Sequence, residues 1–231
     1  MGRAVGLLTI GQAPRPDLIE EYERALPTAR LVQRGALDDL GDSEILDLAP
    51  GPGDDVLVSR LRSGREVRLA RRHLEPRLQR CLEELAREVD LTVLLCTGDF
   101  PAVRPPGLVL VPQRVLHHIV AALVDGLRGD GRAARPLGVL LPDPAQAASA
   151  ERRWADLGRV VTAAASPYQG PEALEAGGEA LRDAGVAVVV MDCIGYTRAM
   201  RRTVSHLVGV PTILANAAVA MIAREAVEGA A

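Results

Sequence analysis

Leu91-Thr92-Val93-Leu94-Leu95-Cys96-Thr97-Gly98 and Val186-Ala187-Val188-Val189-Val190-Met191-Asp192-Cys193-Ile194-Gly195 share one pattern: an apolar run, a cysteine where it ends, and a glycine two residues later. Runs this short, rich in Val and Leu, read as buried strands of a parallel sheet. In an open parallel sheet the ligand crevice lies outside the carboxyl ends of the strands, so both thiols are expected to face a cleft.

Working outward, apolar runs between turn signals give further strand candidates at 4–10, 29–34, 107–111, 137–141, 159–164 and 211–214, with the two quoted runs at 91–96 and 186–191. Helical spacing falls at about 16–26, 73–88, 113–127, 144–156, 171–184, 198–207 and 215–228. This alternation predicts an α/β fold with mostly parallel sheets. Val56 to Leu61 and Glu66 to Leu69 flank Ser63-Gly64 and read as an inserted β-hairpin near 55–69. The loop from Gly35 to Asp54 is rich in Asp, Gly and Pro, as a lid or a plain surface excursion would be. The spacing of the two cysteines suggests two α/β units. The first covers 1–112 and is joined by 211–231; the second covers 113–210.

Bulk composition narrows the function classes. The chain has 231 residues, 48% of them hydrophobic, and a formal charge of -3 from 27 Lys plus Arg against 30 Asp plus Glu. No basic block is present, and 2% aromatic residues leave few rings for base stacking, which argues against nucleic acid. No apolar stretch approaches the roughly 18–20 residues of a membrane span. The Met1-Gly2-Arg3 start runs directly into a strand-like segment. A cytoplasmic location is expected, where three cysteines stay as free thiols. Cys81 lies on an amphipathic helix pattern and reads as a small core residue.

The chemistry-bearing candidates follow from the two strand ends. Two thiols serving opposite faces of one carbon could remove and return a proton with neither metal nor organic cofactor, provided hydrogen-bond donors and cations stabilise the carbanion. After Cys96, Thr97 and the amides of the turn can donate to a carboxylate, Gly98 permits close approach, and Asp99 could cap the next segment or orient the thiol. After Cys193, Tyr196 and Thr197 can donate from a helix start. The first strand ends in Thr9-Ile10-Gly11-Gln12-Ala13-Pro14-Arg15-Pro16-Asp17. There Gln12 offers an amide, Arg15 a planar fork for a carboxylate, and Asp17 a cap for the following helix. Arg71 or Arg72, after the hairpin, could also reach the ligand. His117, His118 and His206 lack metal-ligand spacing, and no phosphate-loop pattern occurs. Ser166-Pro167-Tyr168 could line the second half of the site.

The opening Thr9-Ile10-Gly11-Gln12-x-Pro14-Arg15-x-Asp17, Arg71-Arg72, Phe100-Pro101 and Asp192-Cys193-Ile194-Gly195-Tyr196 together resemble the AroM family over nearly the whole chain. That family is similar in turn to the aspartate/glutamate racemase superfamily, with its hydantoin racemases, maleate isomerases and arylmalonate decarboxylases. The resemblance implies two Rossmann-like units with one or two cysteines at the walls of an active site between them, and the matching strand, cysteine and glycine pattern of the halves adds the expectation of pseudo-two-fold symmetry. Cys96 would match the first-half cysteine and Cys193 the second, with Thr97 in the turn that binds a substrate carboxylate. The racemases often show Cys-Asn-Thr and Gly-Cys-Thr where this chain has Cys-Thr-Gly and Asp-Cys-Ile, so their substrates do not transfer.

The expectation is therefore a cofactor-independent racemase or epimerase acting beside a carboxylate or carbonyl of a small substrate. The alternatives are a single-thiol decarboxylase, a cis/trans isomerase, or a non-catalytic small-acid-binding protein. The apolar helix from Val115 to Leu127 suits a homodimer face or burial within one chain equally well.

Overall fold

The structure, a computed structural model, describes residues 3–127 and 135–228; the expected unit ends at 1–2 and 229–231 lie outside them. The chain forms two compact units: Met1–Gln113 with Val219–Ala231, and Arg114–Ala218.

In the first unit, β1 (Ala4–Thr9), β2 (Arg30–Gly35), β5 (Leu91–Leu95) and β6 (Val109–Leu110) form one sheet. All its pairings are parallel. Every side chain of β1 and of β5 is buried, the signature of strands covered on both faces. The connections are α1 (Pro16–Ala25), after β1, and α3 (Arg71–Leu85), before β5. Helix α3 turns Leu74, Leu78, Leu82 and Leu85 inward at helical spacing, and all four are buried. Cys81 packs beside them half-buried; burial, reinforced by Glu84, pushes its thiol up to about 11, as suits an unreactive packing residue.

In the second unit, β7 (Leu137–Leu141), β8 (Val160–Ala164), β9 (Val188–Met191) and β10 (Thr212–Leu214) form another wholly parallel sheet. Helices α4 (Pro112–Gly126), α5 (Ala147–Trp154), α6 (Pro171–Asp183), α7 (Arg198–Val208) and α8 (Ala215–Glu228) complete the chain. Within α4, Leu116 and Val120 are fully buried in the chain itself.

Counted by appearance within each sheet, the strand orders β2-β1-β5-β6 and β8-β7-β9-β10 are both 2-1-3-4. Cys96 follows the third strand of the first sheet, and Cys193 the third strand of the second. The order reverses between the first and third strands, which is where a doubly wound sheet opens its crevice.

Three expectations need correction. Strand β10 pairs with β9, so 211–218 belongs to the second unit and only the chain from Val219 joins the first. The segment 144–156 is not one helix: α5 covers Ala147–Trp154, with 3-10 turns at Pro144–Gln146 and Ala155–Leu157. The excursion from Gly35 to Asp54 contains a short helix, α2 (Asp42–Leu46), whose Ile45 is buried. This loop is tied down by bonds from Ala36 N to Thr9 O (2.9 Å) and from Leu37 N to Gly11 O (3.1 Å).

Candidate functional site

Strand β5 stops where the Cys96 amide turns back to the Leu94 carbonyl at 2.8 Å. Cys96, 8% exposed as a residue, then accepts the Gly98 N–H on its thiol at 3.3 Å. On the adjoining strand, Thr9 Oγ1 accepts the Gly11 N–H at 3.2 Å, the same bond to the second residue on. Arg15 Nη1 donates to that hydroxyl at 3.4 Å, while its other nitrogens grip Asp17 at 2.9 and 2.7 Å. Burial works to raise the Asp17 carboxyl, but the hydrogen bond and charge of Arg15 outweigh it and hold the group below the ordinary 3.8. Asp17 is therefore not the cap expected of it. Helix α1 begins at Pro16, with Arg15 at the N-cap position and no side-chain cap. Gln12 is turned to the loops: Nε2 donates to Leu37 O (3.3 Å) and Leu40 O (3.4 Å), and Oε1 accepts the Arg62 N–H (3.1 Å).

The hairpin of β3 (Val56–Arg60) and β4 (Glu66–Ala70) lies against these strand ends. A Cβ on Gly98 would stand 2.9 Å from Leu57 Cδ2 and 3.3 Å from Cys96 Sγ; one on Gly11 would stand 2.4 Å from Ser59 Oγ. Both glycines are thus needed for close approach. Arg71 opens α3 and donates to the Asp99 carbonyl at 3.4 Å while pairing with Asp55 at 2.6 Å. Arg72 turns instead to Asp54, at 2.7 and 2.8 Å. Of the two arginines, Arg71 is the one joined to the Cys96 turn. Thr97 and Gly98 are buried and Asp99 is exposed; Phe100 packs in the same core cluster as Leu57 and Cys96.

The second unit repeats the turn. Cys193, also 8% exposed, accepts the Gly195 N–H at 3.4 Å. Tyr196 is buried, and its hydroxyl donates to the Ala165 carbonyl at 2.7 Å, making it a strut between the ends of β9 and β8. Burial holds this phenol well above 10, with Cys193 and Asp192 adding to the effect. Thr197 caps α7 by accepting the Met200 N–H at 3.3 Å. A Cβ on Gly195 would lie 2.5 Å from the Tyr168 hydroxyl and 2.8 Å from Pro167, so the Ser166-Pro167-Tyr168 turn stands directly beside the Cys193 loop. Asp143, at the end of the neighbouring β7, is buried and accepts the Ala145 N–H at 2.8 Å. Among the described residues no three His, Cys, Asp or Glu side chains are grouped to hold a metal ion.

The family model of the AroM protein matches residues 5–227. The chain belongs to the AroM family. A comparison with curated proteins gives no match. Among solved structures, this AroM chain resembles a glutamate racemase from Bacillus anthracis with a TM-score of 0.60 and 14% identity, covering 99% of this chain and 82% of that one. A maleate isomerase from Pseudomonas putida follows with a TM-score of 0.58 and 14% identity, over 99% and 94% of the two chains. Unliganded arylmalonate decarboxylase gives a TM-score of 0.52 and 12% identity, over 99% and 94%. At these identities the likeness establishes the racemase fold for the AroM chain.

In the AroM chain the candidates fall into two local groups. Cys96, Thr97, Gly98, Asp99, Arg71 and the Thr9–Arg15 contact gather at one strand edge, and Cys193, Gly195, Tyr196, Thr197 and Tyr168 at the other. Gln12 and Arg72 make their bonds away from the thiol turns. Asp143 stands between two prolines after a strand, a helix-start signal readable in the sequence. Arg153 and Trp154 have no such local signature, because their bonds to Asp192 span about forty positions.

Proposed function

We propose that this AroM protein is a cofactor-independent isomerase of the racemase or epimerase type, with Cys96 and Cys193 as its two proton-transfer groups. The observation that carries the reading is the equivalence of the thiols: each follows the third strand of a 2-1-3-4 parallel sheet and accepts the N–H of a glycine two residues on. A glycine N–H aimed at sulfur favours the thiolate, the form that removes a proton. One thiolate takes the proton from the carbon beside a carboxylate or carbonyl, and the other thiol delivers one from the opposite side, the roles depending on the substrate's hand. The likeness to a racemase, an isomerase and a decarboxylase supports an enzyme of this kind. Thr97, the amides of the Cys96 turn, Arg71 and the Thr197 hydroxyl are the donors we assign to a small carboxylate-bearing substrate. Carbon acids are weak, so a 10⁶-fold acceleration, about 8 kcal/mol, must come mainly from such fixed donors. The reading includes action in the cytoplasm, a reducing compartment that keeps cysteine side chains as thiols.

The test is proton exchange in D₂O, followed by NMR, over amino acids, hydroxy acids, hydantoins and substituted malonates. Cys96→Ser and Cys193→Ser are each expected to lose at least 10²-fold in exchange, the scale of one acid/base group. Product that needs only one cysteine would replace this reading with a single-thiol decarboxylase or cis/trans isomerase. Ligand binding without turnover, unchanged in both variants, would replace it with a small-acid-binding protein.

A further inference from the structure

Behind the Cys193 loop lies a charge pair that proton transfer does not itself use. The Asp192 side chain is 0% exposed, and its Oδ2 accepts from Arg153 Nη2 at 2.9 Å and from the indole N–H of Trp154 at 3.2 Å. Arg153, with 19% of its side chain exposed, also donates to Ser149 Oγ at 3.2 Å. Trp154 is fully buried and stacked on His117, with centroids 5.7 Å apart and planes at 16°. Asp192 is tied to β7 as well, through its amide to Leu140 O at 2.9 Å.

A carboxylate sealed from water one residue before a thiol opposes ionisation of that thiol, and a guanidinium on the carboxylate cancels the effect. Apolar side chains would fill such a place at lower desolvation cost, so stability does not explain the pair. We propose that Arg153 and Asp192 are positioning residues for Cys193: the pair fixes the backbone that aims the sulfur, and its balanced charge lets the thiol ionise. The proposal rests on the two-thiol reading for its consequence in turnover, whereas the ionisation itself can be followed without any substrate. Ionisable groups on the elements flanking this loop include Asp143 after β7, Tyr168 after β8, Tyr196 within the loop, Arg198, Arg201, Arg202 and His206 on α7, and Glu151 and Arg152 beside Arg153 on α5.

The experiment measures the rate of alkylation by iodoacetamide against pH, read separately for Cys96 and Cys193 by peptide mass spectrometry on the full chain. Asp192→Asn keeps the shape and leaves the guanidinium unbalanced, so the Cys193 midpoint is expected to fall by about one pH unit. Arg153→Met leaves the carboxylate unbalanced, and the midpoint is expected to rise by about as much. The double variant should return close to the parent, with the Cys96 profile unmoved throughout. A merely structural clamp would shift both single variants in the same direction, and that result, or no shift in either, overturns the proposal. Should Arg153→Met not fold, Asp192→Asn against Arg153→Lys decides, since Lys keeps the charge and should leave the midpoint in place. Midpoints that move as stated in a protein that exchanges no substrate proton would overturn the two-thiol reading and leave this one standing.

Discussion

Arg15, expected from sequence to clamp a substrate carboxylate, holds a carboxylate of its own chain in the fold. Its guanidinium side chain is 4% exposed and holds Asp17, whose side chain keeps 21% exposure, across a Pro-restricted turn. The Asp17 carboxyl titrates below its ordinary range in the folded chain, so the contact stabilises the protein above that range and is lost as pH falls through the folded value. Asp17→Asn is expected to cost about 1–2 kcal/mol at pH 7, with the gap narrowing progressively as pH falls below the ordinary carboxylate range, in urea unfolding curves taken as a pH series. A gap independent of pH would assign the loss to shape instead. The spacing Arg15-Pro16-Asp17 carried this pairing openly, because a fork and a carboxylate two residues apart at a helix start can meet without help from the rest of the chain. The Asp192 pairing gave no such cue.

The hairpin is the element whose importance was least visible in the sequence. Its two strands and its turn were legible from alternating apolar residues around Ser63-Gly64, but not its place against Gly11 and Gly98, which depends on contacts between distant segments. A methyl on Gly11 would meet both Ser59 Oγ at 2.4 Å and the Arg60 carbonyl at 2.6 Å, a rigid obstacle, whereas one on Gly98 meets chiefly the movable end of Leu57. Gly11→Ala is therefore expected to destabilise by about 1–3 kcal/mol, and Gly98→Ala by less, in denaturant melts. Proteolysis should sharpen the contrast, with cleavage between 60 and 66 appearing in Gly11→Ala first. Equal melts for the two variants would show that the hairpin yields as a body.

Across the molecule, the two parallel sheets were legible because strands buried on both faces read as apolar runs whatever their neighbours. The unit boundary was not, because β10 and α8 are consecutive in the chain yet the units divide at Val219, within the helix. Val219, Ala220 and Ala223 are buried. Ending the chain after Ala218 should leave the second unit folded, with Trp154 emission still that of a buried indole. Cys81 and Cys96 should label at the rate of unfolded thiols, read by mass spectrometry under native conditions. Labelling of Cys81 and Cys96 at the rates of the full chain would mean that the first unit closes without the helix. The division at Val219 also sets an order of events during synthesis. The first unit leaves the ribosome lacking its last segment and must wait, incompletely closed, while the whole second unit is made, so the half begun first is the half finished last.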